Sequence, residues 1–167
     1  MSQKRDIEVT VNGETIQATV AVRQNLVDFL RDNLGLTGSH AGCEQGVCGA
    51  CTLAVNGVAV RGCLMLAVQA HGSSITTIEG VAAKPVGSAL QRAFVEHNAL
   101  QCGFCTPGMI ASSIEYIEQG GSSDRAAIRE HLSGNYCRCT GYQAIVDAVA
   151  SVIDQVTEQV TDQGASA

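Results

Sequence analysis

The chain has 167 residues, room for one medium domain or two small ones, and a net charge of −6. No Lys/Arg cluster breaks that acidic balance, which argues against nucleic acid or an anionic membrane surface as a partner. Charged residues make up 16% of the chain and hydrophobic ones 46%, yet no apolar run approaches the ~18 residues of a membrane span. Such a composition points either to surface buried against other subunits or to two small cores. The opening stretch, MSQKRDIEVTVNG, has no apolar h-region and no cleavage site, so a reduced, cytoplasmic protein is expected.

In chain order, Ile7, Val9 and Val11 alternate with polar residues, and so do Ile16, Ala18 and Val20. This predicts two half-buried strands around the hairpin signal Asn12-Gly13. Asn25 reads as the N-cap of a helix with the stripe Leu26, Val27, Phe29, Leu30 and Leu34, closed by Gly35. A second Asn-Gly, at 56–57, lies between TLAV and VAVRG and predicts another hairpin; residues 74–78 form a short last strand. Two hairpins around one helix, with a metal loop after the helix, match a small β-grasp ferredoxin-like domain over residues 1–80.

From residue 81 the period changes. Lys84-Pro85-Val86-Gly87 reads as a linker. Leu90, Ala93, Phe94 and His97 then fall at helical spacing. Thr106-Pro107 marks a helix start, with Thr as N-cap and Pro in the first turn. Ile110, Ile114 and Ile117 carry that helix to Gly120-Gly121. Ile128 and Leu132 mark a third helix ending near Gly134. Ile145, Val149, Val152, Val156 and Val160 mark a long fourth, with a polar tail from about Thr161. The fold class is therefore α+β: the ferredoxin-like domain, then a four-helix bundle over residues 81–167.

The cysteines carry the chemistry. Cys43, Cys48, Cys51 and Cys63 have four, two and eleven residues between them, and C-x4-C-x2-C with a distant fourth Cys is the plant-type 2Fe-2S spacing. Cys102, Cys105, Cys137 and Cys139 form a second quartet that uses up all eight. Disulfides would need an oxidising compartment. Zinc is the rival reading of the second quartet, although zinc ribbons pair two C-x2-C knuckles and Cys137-Arg138-Cys139 is not one. A Rieske centre needs two His ligands, and His40, His71, His97 and His131 lack that placement. The chain thus reads as a carrier of two 2Fe-2S clusters that moves electrons. Gly in the Gly42–Cys51 loop lets backbone N–H groups approach cluster sulfur. Both pairs of the second quartet precede helix starts, where N–H groups and the positive dipole end favour thiolate and sulfide.

Three stretches together resemble the iron–sulfur part of the xanthine oxidase family of molybdenum hydroxylases. They are Gly42-Cys43-Glu44-Gln45-Gly46-Val47-Cys48-Gly49-Ala50-Cys51, Leu100-Gln101-Cys102-Gly103-Phe104-Cys105-Thr106-Pro107-Gly108-Met109 and Gly134-Asn135-Tyr136-Cys137-Arg138-Cys139-Thr140-Gly141-Tyr142. The resemblance covers nearly all of residues 5–155, and as a separate chain it is similar to the small subunit of the three-subunit bacterial enzymes. Tyr136 stands where relatives often have an aliphatic residue.

The resemblance implies that a large partner subunit holds molybdopterin, in the cytosine dinucleotide form, and a medium partner holds FAD, in a heterotrimer or its dimer. It implies that Gln101 and Cys139 contact the pterin, Cys139 being also a cluster ligand; on its own, Gln101 reads as a polar helix-end residue. Substrate is then oxidised on the large subunit, and electrons pass one at a time through this chain to the flavin. The chain itself has no flavin fingerprint, phosphate loop or catalytic constellation. The alternative is a free-standing two-cluster ferredoxin or redox sensor, which would display a charged docking face.

Overall fold

The computed structural model describes residues 3–164. Strands β1 (Lys4–Val11) and β2 (Glu14–Ala21) form the first predicted hairpin, in a register that opposes Ile7 to Ala18 and Val9 to Ile16. Its turn residues, Asn12 and Gly13, have φ of 51° and 91°, the left-handed geometry of a two-residue hairpin. The second hairpin, β3 (Thr52–Val55) and β4 (Val58–Arg61), turns on Asn56 and Gly57 in the same way. The last strand, β5 (Ser74–Thr76), is shorter than the expected 74–78 and lies between β1 and β3, parallel to the first and antiparallel to the second. The sheet order is β2-β1-β5-β3-β4.

The predicted helix over the sheet is present but irregular. Asn25 caps it by accepting from the Asp28 amide at 2.8 Å. The helix α1 (Leu26–Asp28) then widens into a π-helical turn over Phe29–Asn33. Leu26, Phe29 and Leu30 are buried with Ile7, Val9, Val11, Val20, Leu53, Val55 and Ile75 in one core, whereas Ile16 and Ala18 only pack at its edge.

The second half contains α2 (Pro85–Glu96), α3 (Thr106–Glu118), α4 (Arg125–His131) and α5 (Gln143–Gly164). Their facing stripes close a second core around Leu90, Phe94, Met109, Ile128, Ile145, Val149 and Val152. Two expectations change. Lys84–Gly87 is no linker: Pro85 opens α2, and Gly87 is buried where any Cβ would collide with the Val81 carbonyl. Thr106 is the first residue of α3 and its hydroxyl caps nothing. The backbone of α5 continues to Gly164, past the polar stretch from Thr161; the Val160 side chain lies outside the described residues. The architecture is α+β, and among the described residues no helix is long and apolar enough to cross a membrane.

The two halves are packed together: α3 lies on β3 and β4, and Glu115 Oε1 accepts from the Ala59 amide at 2.7 Å. Gly108 in the first turn of α3 faces the carbonyl of Gly49 so closely that no side chain would fit.

Candidate metal centres

Cys43, Cys48 and Cys51 follow the sheet-covering helix, and Cys63 follows β4, so the sheet brings a distant fourth thiol to the loop. The thiol of Cys43 meets that of Cys48, and the thiol of Cys51 meets that of Cys63. The amides of Gln45 and Cys48 donate to Cys43 Sγ at 3.5 and 3.4 Å and bring its thiol down to about 6. Cys51 is the opposite case: burial pushes it up to about 11. Gly49, with φ of 74°, turns its carbonyl inward, where it accepts from the Thr52 amide and hydroxyl at 3.1 and 2.7 Å.

The second quartet is built from two segments. Cys102 and Cys105 lie in a turn ahead of α3, and Cys137 and Cys139 lie between α4 and α5. Cys139 Sγ and Cys102 Sγ are 3.6 Å apart, and the thiols of Cys105 and Cys137 also meet. Burial, then the neighbouring Cys137 thiol, pushes Cys105 up to about 12. Burial would also raise Cys137, but the hydroxyl and amide of Thr140, at 3.1 and 3.4 Å from its sulfur, outweigh it and lower the thiol. Each quartet therefore holds a thiol whose ionisation is eased, Cys43 or Cys137, beside one whose ionisation burial opposes, Cys51 or Cys105. The Cys137 amide donates to the Tyr142 hydroxyl at 2.9 Å, which ties the backbone at Cys137 to the start of α5. Cys102, Cys139 and Gln101 are exposed, and Gln101 Nε2 donates to the Cys139 carbonyl at 3.0 Å.

The sulfur arrangement suits two-iron clusters. Among the described residues the thiols approach one another in pairs rather than in a group of three or more. Two thiolates sharing one tetrahedral metal at bonds of about 2.3 Å lie about 3.7 Å apart. The 3.6 Å between Cys102 and Cys139 matches that separation, with Cys105 and Cys137 as the second pair. One further group fits: Thr106 Oγ1, next to Cys105, is buried without a hydrogen-bond partner, and a cluster sulfur would satisfy it. The four histidines are accounted for otherwise: His71 Nδ1 accepts from the Glu8 amide, His131 donates to the Ser112 carbonyl, His40 donates to the Phe104 carbonyl and His97 caps α2.

The two sites touch. The Tyr136 amide donates to the Cys48 carbonyl at 2.8 Å, which joins a residue of the first quartet to the neighbour of Cys137. The rings of His40 and Phe104 stack at 4.6 Å between the two loops. Asn135, Arg61, Thr140 and Phe104 went unremarked in the sequence for any such role; Thr140 and Phe104 adjoin cysteines, and Asn135 and Arg61 each stand two residues before one. Apolar side chains rim both mouths, with Val47 and Leu64 51% and 62% exposed at the first and Phe104 and Tyr136 47% and 55% exposed at the second.

Two family models match the chain: a 2Fe-2S iron-sulfur cluster binding domain over residues 9–73 and a 2Fe-2S binding domain over residues 77–150. The gamma subunit of caffeine dehydrogenase from Pseudomonas sp. (strain CBB1) is 54% identical over 87% of this chain and 89% of its own. The small subunit of nicotine 6-hydroxylase from Paenarthrobacter nicotinovorans is 48% identical over 93% of each. Among solved structures, quinoline 2-oxidoreductase from Pseudomonas putida 86 superposes with a TM-score of 0.88 at 45% identity, over 95% of this chain and 98% of the matched one.

Proposed function

The chain belongs to the small iron–sulfur subunits of the xanthine oxidase family of molybdenum hydroxylases, and on that premise we propose which residues carry its electron-transfer function. Cys43, Cys48, Cys51 and Cys63 hold the first 2Fe-2S cluster; Cys102, Cys105, Cys137 and Cys139 hold the second. When bound, the clusters supply one-electron redox chemistry. The chain's own residues supply thiolates, donors to sulfur and a fixed spacing. The observation that carries the reading is the contact between the two sites through the Tyr136–Cys48 hydrogen bond.

The partners are a large subunit with molybdopterin, in the cytosine dinucleotide form, and a medium subunit with FAD, in a cytoplasmic heterotrimer or its dimer. The exposed face with Gln101, Cys102 and Cys139 meets the pterin, Gln101 and Cys139 being the contacts. The apolar rims at both mouths and the low charge of the chain suit burial on both sides. Residues 1–80 form a β-grasp ferredoxin-like domain, and residues 81–167 a four-helix bundle made by α2 to α5, the short α1 belonging to the first domain. Relatives are named for caffeine, nicotine and quinoline and others for aldehydes, and of these classes we propose a nitrogen heteroaromatic as the substrate of the complex.

Metal analysis and paramagnetic resonance of the purified complex test this. Two quartets require four iron and four acid-labile sulfide per chain and two distinct 2Fe-2S signals on reduction. Zinc in place of iron, or two iron per chain, contradicts the assignment. Reduction of the complex by a purine, pyridine or quinoline but not by an aldehyde supports the substrate class; the reverse rejects it.

A further inference from the structure

We propose that Asn135 is a positioning residue for electron passage between the two quartets: its side chain locks the first metal loop to the segment that carries Cys137. The inference rests on the two-cluster reading.

Asn135 is 3% exposed and sits two residues before Cys137. Its Nδ2 donates to the Gly49 carbonyl at 3.1 Å and to Thr52 Oγ1 at 3.4 Å, and both partners flank Cys51 in the first loop. Its Oδ1 accepts from the Ser112 hydroxyl of α3 at 3.0 Å and from Arg61 Nη2 of β4 at 3.3 Å. The same guanidinium donates to the Gly134 carbonyl at 2.7 Å and to the Thr52 hydroxyl. One buried amide thus joins the first loop, the sheet edge, the third helix and the approach to the second quartet. All of its side-chain polar atoms are used, as a buried amide requires.

The next residue makes the bridge. Tyr136 donates its amide to the Cys48 carbonyl, and Cys137 follows. With Asn135 clamped to Gly49 and Tyr136 to Cys48, two successive residues pair with two successive residues of the other site. Such a two-point match fixes separation and orientation together, which one hydrogen bond does not. The event it serves is simple: one electron crosses, one iron pair is oxidised as the other is reduced, and no proton or covalent bond is exchanged. Its rate depends on geometry, so looseness at Asn135 is felt as slower passage.

The test compares Asn135→Asp, Asn135→Ala and Ser112→Ala in the purified complex. Asn135→Asp keeps the shape and the acceptor for Ser112 and Arg61 but sets an oxygen against the Gly49 carbonyl. Each variant is expected to keep four iron and two 2Fe-2S signals. In the Asn135 variants the low-temperature splitting by which the two reduced clusters sense each other changes. Re-equilibration between them after flash photoreduction slows severalfold. Ser112→Ala loses one hydroxyl but keeps both Nδ2 bonds, so its splitting and rate stay at wild type while its Tm falls. Unchanged splitting and rate in Asn135→Asp with both clusters present overturns the proposal and leaves the two-cluster reading standing. Loss of a cluster in Asn135→Asp also overturns it and makes Asn135 an assembly residue. Failure of the reading itself shows separately, as missing iron in the wild-type complex.

Discussion

Gln101 Nε2 donates to the carbonyl of Cys139 across 3.0 Å, so the two residues that resemblance assigns to the pterin are tied to each other on one exposed face. The bond spans 38 positions and orients the Gln101 amide oxygen away from the carbonyl it serves. Gln101 thus braces the backbone at Cys139.

Gln101→Ala should leave both clusters assembled but release the Cys139 carbonyl. A lost partner for a polar group that the assembly buries costs about 1–3 kcal/mol. Pterin retention and the rate of substrate-driven cluster reduction should both fall, measured by pterin release on denaturation and by stopped-flow absorbance. Normal values for both would return Gln101 to a surface role.

Thr140→Val removes a hydroxyl that donates to Cys137 Sγ at 3.1 Å. Donors to sulfur stabilise the reduced, more negative cluster, so the midpoint potential of one cluster should fall. A change of up to tenfold in the reduction equilibrium corresponds to about 59 mV for one electron. Thr106→Val should act in the same direction through its orphaned hydroxyl, whereas Thr140→Ser should stay near wild type. A redox titration followed by paramagnetic resonance reads both, and the other cluster's potential serves as the internal control.

Accessibility should reverse on assembly. In this chain Cys102 and Cys139 are exposed while Cys51 is buried, so a chelator or oxidant should bleach the second site first in the isolated subunit. In the complex, where the large subunit covers that face, the first site should go first. Bleaching in the same order in both forms would mean that the partner sits elsewhere.

Glu79 links stability to pH. Burial opposes ionisation, but the Thr77 hydroxyl at 2.6 Å and the Gly38 amide at 2.8 Å hold the carboxyl below its ordinary 4.5. A carboxyl depressed in the folded state stabilises fully above its unfolded value and loses that contribution as pH falls through the folded one. Glu79→Gln should therefore lower Tm near neutral pH, and the gap to wild type should narrow as the pH is taken below 4.5. Circular dichroism melts at two pH values check this; a constant gap would show that the loss is one of packing.

Much of this protein could be read from linear order because the relevant physics is local. Asn12-Gly13 and Asn56-Gly57 announce hairpins since few residue pairs tolerate two left-handed conformations in a row, and both are found there. Asn25 announces a helix start because its side chain reaches only three residues ahead. Cysteine spacing divided the eight thiols into two quartets, and the fold sets Cys43 against Cys48, Cys51 against Cys63, Cys102 against Cys139 and Cys105 against Cys137.

Local rules misled where two halves meet. Lys84–Gly87 has linker composition, yet packing against Val81 draws it into α2. Thr106 has the identity of a cap, yet the turn at Gly103 places it inside the helix with its hydroxyl buried and unpartnered. Asn135 is one polar residue among many until residues 83 and 86 positions away, Thr52 and Gly49, close around it. Those bonds depend on how α3 lies against β3, and that docking is set by shape and burial over the whole interface rather than by any short pattern. The spacing of the cysteines tells which residues can hold iron, and only the packing of the two cores sets how one site is placed against the other.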